Sequence, residues 1–251
     1  MVANDISDLI HRSEQTMALT GAGVSAESGL ATFRDALTGL WERFDAAQLA
    51  TPEAFERDPA LVWGWYEWRR AKVATAKPNG AHFALAQLEA ARPQTVVVTQ
   101  NVDDLHERAG SRNVLHLHGS LFTPRCARCG RPHRFDATPT VETEGGRRIE
   151  PPRCSACGGQ LRPGVVWFGE PLPSAAWQKA EAAATTSDLL LVVGTSGLVQ
   201  PAASLPLIAR RAGASVVVID PHPTAIDEIS TRCLRGKAGE VLPHLISAAL
   251  S

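Results

Sequence analysis

Apolar positions recur along this chain in two rhythms. Residues 16–19, 95–99, 189–193 and 215–219 are short, nearly continuous apolar runs, each bounded by a polar or glycine turn. Between them, stretches such as 80–91 and 201–212 repeat apolar residues at three- and four-residue spacing, which predicts helices. Strands apolar throughout and alternating with helices predict an α/β protein whose parallel sheet is covered on both faces.

Two segments leave that alternation. Thr51-Pro52 and Asp58-Pro59 each place a capping side chain before a proline suited to the first helical position, so residues 36–75 are expected to form a helical insert. The stretch from Cys126 to Cys157 is rich in Arg, Gly and Pro and too poor in large apolar residues to make a core unaided. It needs a staple, and 141–152 within it reads as a loop. The histidines of Leu115-His116-Leu117-His118-Gly119-Ser120 fall on one face if the segment is a strand.

Composition narrows the classes. The 251 residues are 44% hydrophobic and 20% charged, with 25 Lys+Arg against 26 Asp+Glu, so no net positive field points to nucleic acid or an anionic membrane. No apolar run approaches the roughly 18 residues of a membrane span, and the N-terminus is not signal-like, which predicts a cytoplasmic protein.

Four of the five cysteines form the pairs Cys126-x-x-Cys129 and Cys154-x-x-Cys157, with 24 residues between the pairs. Two residues between thiolates let both sulfurs reach one tetrahedral ion, and a second pair closes its shell, so the expected metal is a structural zinc. Disulfides or a redox pair are the competing readings. Cys233 stands alone and reads as a small packed residue.

Candidate chemistry gathers where strands end. The first run enters Thr20-Gly21-Ala22-Gly23-Val24-Ser25-Ala26, where glycines allow the backbone to approach a pyrophosphate, although such a pattern is as often a tight turn. An ordinary dehydrogenase would carry an acidic ribose ligand about 20 residues on. Here that place is Leu40-Trp41-Glu42, and the nearest acidic residue closing a strand is Asp220. Other runs end in Gly194-Thr195-Ser196 and in Gln100-Asn101-Val102-Asp103-Asp104. Helix capping would account for one of the latter polar groups, not for all of them. His118 suits proton transfer at neutral pH, while a histidine beside a strand can equally be a satisfied core group.

Taken in order, the Gly21 to Gly29 turn, Thr32-Phe33-Arg34, Gln100-Asn101-Val102-Asp103, His118-Gly119, the cysteine pairs, Val166-Trp167-Phe168-Gly169-Glu170 and Gly194-Thr195-Ser196 resemble the sirtuin family of NAD-dependent protein deacylases. The resemblance implies one catalytic domain over 1–251: a Rossmann-like sheet with a small domain made of the insert and a zinc module over 121–162. NAD and an acylated lysine would meet in the cleft between the two. It implies that the acyl oxygen attacks the nicotinamide ribose, giving nicotinamide and O-acyl-ADP-ribose. His118 would be general base, Asn101 and Asp103 would position the nicotinamide, and Gln100 the ribose. Gly21, Ala22, Gly23, Ser25, Gly194, Thr195 and Ser196 would line the phosphates and ribose, Phe33 and Arg34 would close over the reacting centre, and Asp220 and Ala238 would meet the adenosine. Val166, Phe168, Gly169 and Glu170 would pair as a strand with the substrate backbone. Ala31 departs from the proline many members carry before Thr-Phe-Arg.

Tyr66 and Arg69, three apart on the insert, share a helix face. A guanidinium takes a carboxylate through two parallel bonds, and a phenol adds a third. Alone, the pair reads as an arginine on a solvent face. Beside the motifs above it resembles the class III sirtuins, which remove succinyl and malonyl groups, with Ala50 where that branch keeps a small residue. Acylated lysine is thus the expected partner of a monomer. The rivals are ADP-ribosyl transfer to protein and a non-catalytic zinc-ribbon module presenting Arg125, Arg128, Arg131 and Arg134.

Overall fold

A computed structural model describes residues 2–30, 45–135 and 147–251. Phe33, Arg34, Ala31, positions 36–44 of the insert and 141–146 of the 141–152 loop lie outside the described residues. The chain divides into two compact units, one of Met1–Gly29, Lys77–Leu117 and Pro173–Ser251, the other of Leu30–Ala76 and His118–Leu172.

The larger unit is built on a six-stranded parallel sheet. Its strands are β1 (Thr16–Thr20), β2 (Val96–Thr99), β3 (Val114–His116), β6 (Leu189–Val193), β7 (Ser215–Ile219) and β8 (Arg232–Leu234), in the order β3-β2-β1-β6-β7-β8. Every residue of β1 and β6 is buried, which is why β6 is apolar throughout and β1 apolar between its terminal threonines rather than alternating. Thr20 lies opposite Thr99 and Val193, and Val193 opposite Ile219, so the strands end level at one edge. The order reverses between β1 and β6, and open α/β sheets hold ligands at the carboxyl edge beside such a reversal. Helices α1 (Val2–Arg12), α6 (Gly80–Ala91) and α10 (Ala238–Leu250) share one apolar core, with Ile6, Leu85, Leu88, Leu242 and Ile246 against the sheet. The helix expected over 201–212 is shorter: Ala202–Ser204 forms a single 3-10 turn, and helix α9 spans Leu205–Arg211, where Pro206 suits a first turn.

The smaller unit holds helices α3 (Ala46–Leu49), α4 (Pro52–Arg57) and α5 (Pro59–Thr75), and an antiparallel pair, β4 (Gly119–Cys126) with β5 (Leu161–Val165). Both helix starts carry the caps read from the sequence: the Thr51 hydroxyl accepts from Ala54 N–H, and Asp58 accepts from Leu61 N–H, each at 3.1 Å.

One expectation fails in an instructive way. Leu115 to Ser120 is not one strand. Strand β3 ends at His116, Leu117 and His118 form a turn, and β4 starts at Gly119 with φ +74°, a conformation side chains with a Cβ rarely adopt. A Cβ there would also lie 2.1 Å from the Gly164 carbonyl oxygen. The two histidines therefore belong to different units instead of one strand face.

Candidate active site

At the carboxyl edge of the parallel sheet the turns after β1 and β6 interlock. Gly23 N–H donates to the Gly194 carbonyl at 2.9 Å, and a Cβ on Gly23 would lie 2.8 Å from that oxygen, so only glycine permits the approach. Ala22 opens helix α2 (Ala22–Ala26), and Gly23, which makes this contact, is its second residue. Gln100 Nε2 donates to Thr195 Oγ1 at 2.9 Å, tying the β2 turn to the β6 turn. The Ser196 carbonyl accepts from Ala225 N–H, and Asp220 Oδ1 accepts from His222 N–H at 2.9 Å. Ala238 is buried in the core at the start of α10.

Behind this edge lies a buried polar network. Ser25 donates to Asp103 Oδ2 at 3.0 Å and accepts from Asn101 Nδ2 at 3.1 Å. Asp103 Oδ1 accepts from Leu105 N–H at 3.1 Å while its second oxygen serves Ser25; the N-cap of the helix Leu105–Ala109 is Asp104, whose side chain makes no capping bond, so the bond from Asp103 is not the expected helix cap. Burial pushes the Asp103 carboxyl up, opposed by the Leu105 amide and the Ser25 hydroxyl.

Three histidines to which the sequence pattern assigned no role, His82, His106 and His116, surround the network. His82 Nδ1 accepts from Asn79 N–H, so its proton sits on Nε2, facing Ser25 at 3.5 Å. Thr20 donates to Thr99, so its oxygen accepts from His106 Nε2 at 3.0 Å, and His106 Nδ1 is left without a described partner. Burial lowers His82 to about 4 and His106 to about 3, so both are neutral. His116 is the opposite case, bonded to Glu107 Oε1 at 2.6 Å and to the Asn101 carbonyl at 3.1 Å. Burial pulls its pKa down, but the Glu107 carboxylate and the carbonyl outweigh burial and raise it.

In the smaller unit, the His118 carbonyl accepts from Val166 N–H and the Ala50 carbonyl from Phe168 N–H, both at 2.9 Å. These bonds bring Ala50, His118 and the 166–170 segment together. That segment is a turn after β5 instead of an extended strand, because Glu170 N–H donates to the Trp167 carbonyl and the Glu170 carboxylate accepts from Trp167 N–H at 2.9 Å. Glu170 is further gripped by Arg162 through bonds of 2.5 and 2.8 Å, which holds its carboxylate below the usual range although burial acts against it. Phe168 is 47% exposed. On α5, Tyr66 is buried and Arg69 half-buried, with the Arg69 guanidinium carbon 5.0 Å from the Trp65 ring centre and 5.8 Å from that of Tyr66. Burial pushes the Tyr66 phenol up to about 12, against the pull of Arg69.

The sulfurs of Cys126, Cys129, Cys154 and Cys157 lie within 4.8 Å of one another, and none forms a disulfide. Sulfurs on one tetrahedral zinc with bonds of about 2.3 Å stand about 3.8 Å apart. The Cys126–Cys157 and Cys129–Cys154 separations are 3.5 and 3.8 Å, so the set fits zinc. Amides of Arg128 and Cys129 point at Cys126 Sγ and His133 Nε2 at Cys154 Sγ, donors suited to thiolates. All four positions are thiols, so the ion would be structural. Cys233 is half-buried, with its sulfur 3.0 Å from Ser230 Oγ.

The Sir2 family model matches residues 21–201, which spans the glycine turns, the polar network, His118 and the four cysteines. The chain belongs to the Sir2 family. Over 244 residues it is 62% identical to NAD-dependent protein deacylase 1 of Pseudomonas aeruginosa, covering 97% of this chain and 98% of that one. A Sir2 homologue solved as its NAD complex superposes with a TM-score of 0.90 at 47% identity, covering 99% of this chain and 95% of the other. A Sir2 structure with p53 peptide and NAD+ gives 0.84 at 30% identity, covering 98% of each. Among the described residues of this Sir2-family chain, no helix is long and apolar enough to cross a membrane.

The buried histidines carry a consequence for acid stability. Unfolded histidine takes a proton near pH 6.5, whereas His82 and His106 do so only near 4 and 3, so between those values the unfolded chain binds more protons. Stability should fall as the pH drops from about 6.5 towards 4, by about 1.4 kcal/mol per pH unit for each histidine. His116, raised in the fold, stabilises below 6.5 and loses that contribution only as the pH rises through its folded value. Urea unfolding between pH 7 and 4.5 will show this slope, and His106→Gln will flatten it by about one proton. An unchanged slope in the variant would mean that His106 is charged when folded.

Proposed function

We propose that this Sir2-family enzyme, an NAD-dependent protein deacylase, accepts lysines whose acyl group ends in a carboxylate, succinyl and malonyl, as well as acetyl. The observation that carries the reading is Tyr66 beside Arg69 on one face of α5. A phenol held at about 12 keeps its proton at any physiological pH and so offers a carboxylate a neutral donor next to a guanidinium fork.

Bound NAD supplies the ADP-ribose acceptor and nicotinamide as the leaving group. In this reading Gly21, Ala22, Gly23, Ser25, Gly194, Thr195 and Ser196 line the phosphates and ribose, Gln100 holds the ribose, and Asp220 and Ala238 meet the adenosine. Phe33 and Arg34 cover the reacting centre. Asn101 and Asp103 orient the nicotinamide end; the bonds through Ser25 fix both side chains before any ligand arrives. His118 takes the proton from a ribose hydroxyl as general base. Main chain at Val166, Phe168, Gly169 and Glu170 meets the peptide, and Ala50 leaves room for the acyl chain. One water is consumed as the acyl group passes from nitrogen to the ribose, and free lysine, nicotinamide and O-acyl-ADP-ribose leave.

The test is turnover of matched acetyl- and succinyl-lysine peptides with and without NAD, followed by nicotinamide release and peptide mass. NAD-dependent loss of succinyl supports the reading. Loss of acetyl alone rejects the acidic pocket, and a mass gain of ADP-ribose on protein would indicate transferase chemistry.

A further inference from the structure

The acyl-pocket reading names Tyr66 and Arg69 but does not say what aims the Tyr66 hydroxyl. A phenol O–H can point either of two ways within the ring plane, and its oxygen can also accept. In this fold the choice is made by Trp167. Its indole N–H, a donor with no acceptor capacity, points at the Tyr66 oxygen from 3.0 Å. One lone pair of that oxygen is thereby occupied, and the Tyr66 proton must point away from Trp167.

Trp167 is itself held on several sides. The Arg162 guanidinium carbon lies 3.4 Å from the centre of the indole ring, and the Phe55 ring centre lies 5.3 Å away. Its main-chain N–H is bonded to Glu170, which the same Arg162 grips through two bonds. Arg162 and Trp167 are both buried, at 8% and 3% exposure, so the indole has little freedom to release Tyr66.

We propose that Trp167 is a specificity-positioning residue: by occupying the acceptor side of the Tyr66 hydroxyl it makes that hydroxyl a dedicated donor towards an acyl carboxylate, beside Arg69. The inference rests on the acidic-acyl reading and adds to it a residue 101 positions away from Tyr66. Acetyl-lysine has no carboxylate for the hydroxyl to meet, so the effect of Trp167 is on selectivity.

The experiment is a cycle of Trp167→Phe and Tyr66→Phe, each assayed with succinyl- and acetyl-lysine peptides. Losing one oriented hydrogen bond to a charged group should lower the succinyl-to-acetyl ratio of kcat/KM about tenfold in Trp167→Phe, chiefly through KM for the succinyl peptide. In the Tyr66→Phe background the Trp167 change should lower the ratio no further. An equal loss on both peptides, or an undiminished loss without the Tyr66 hydroxyl, would reduce Trp167 to a packing residue and overturn the proposal. Should Trp167→Phe not fold, benzothienylalanine at 167 replaces N–H by sulfur in the same bicyclic shape, and the same ratio decides. A parent protein that does not desuccinylate at all would overturn the acidic-acyl reading and this inference with it, an outcome distinct from a parent that does so while the cycle shows no coupling.

Discussion

Arg69→Met is expected to remove most turnover of succinyl-lysine peptides while turnover of acetyl-lysine survives. The methionine keeps much of the arginine's apolar stem and loses its fork of donors, so the change is aimed at the charge. Arg69 stands against Trp65 and Tyr66 on a half-buried helix face, where water screens a carboxylate less than at an open surface. Removing one partner of such a pair costs about 2–5 kcal/mol, because the other charge is left desolvated and unpaired, and this corresponds to at least tens-fold in kcat/KM. Arg69→Lys should recover only part of the loss, since an ammonium is a point charge without the bidentate geometry. Steady-state kinetics on the two peptides reads the result. Equal loss on both would assign Arg69 to the packing of α5 and remove the basis of the acidic-acyl reading.

Stripping the metal should have the largest effect on the fold itself. The core of the smaller unit brings Trp63 and Leu161 together with Cys126 and Cys154, so two of the four metal-binding thiols are also core residues. Without the ion, four thiols crowded within 4.8 Å lose their common partner, and a segment already short of large apolar residues loses its staple. Structural zinc is worth roughly 10–16 kcal/mol in small zinc peptides, more than the 5–15 kcal/mol net stability typical of a whole domain. A strong chelator should therefore unfold the β4–β5 region and lower the thermal midpoint, and Cys154→Ala should do the same without chelator. Of the described tryptophans, Trp63, Trp65, Trp68 and Trp167 lie in the smaller unit and only Trp177 in the larger, so emission reports that unit's loss directly. A metal-free protein with unchanged emission and melting would show the cysteine cluster to be dispensable.

Much of this protein was legible in one dimension. Residues 189–193 are apolar at every position because both faces of the strand are covered, and that condition is written into the residues themselves. Thr51 and Asp58 cap their helices by accepting from the amide three residues on, and two residues separate the members of each cysteine pair, so capping and chelation act over distances set locally along the chain. The glycine turns and the Gln100 to Asp103 segment could be picked out because strands ending level deliver whatever follows them to one edge.

Other features depended on where the chain goes. Leu115 to Ser120 alternates as a strand should, yet Gly119 breaks it, and only the pairing of β4 with β5 reveals that. The neutral states of His82 and His106 come from burial, which no local pattern announces. Ser25 meets Asp103 across 78 positions and Trp167 meets Tyr66 across 101. By itself the sequence determined which segments become strands, which helices are capped, which thiols pair and which polar turns crowd one edge, because those follow from period, capping and short chelate spacing. Only the tertiary structure decided which way the Tyr66 hydroxyl points and which histidines stay uncharged, because hydrogen bonding and desolvation depend on neighbours brought in from far along the chain.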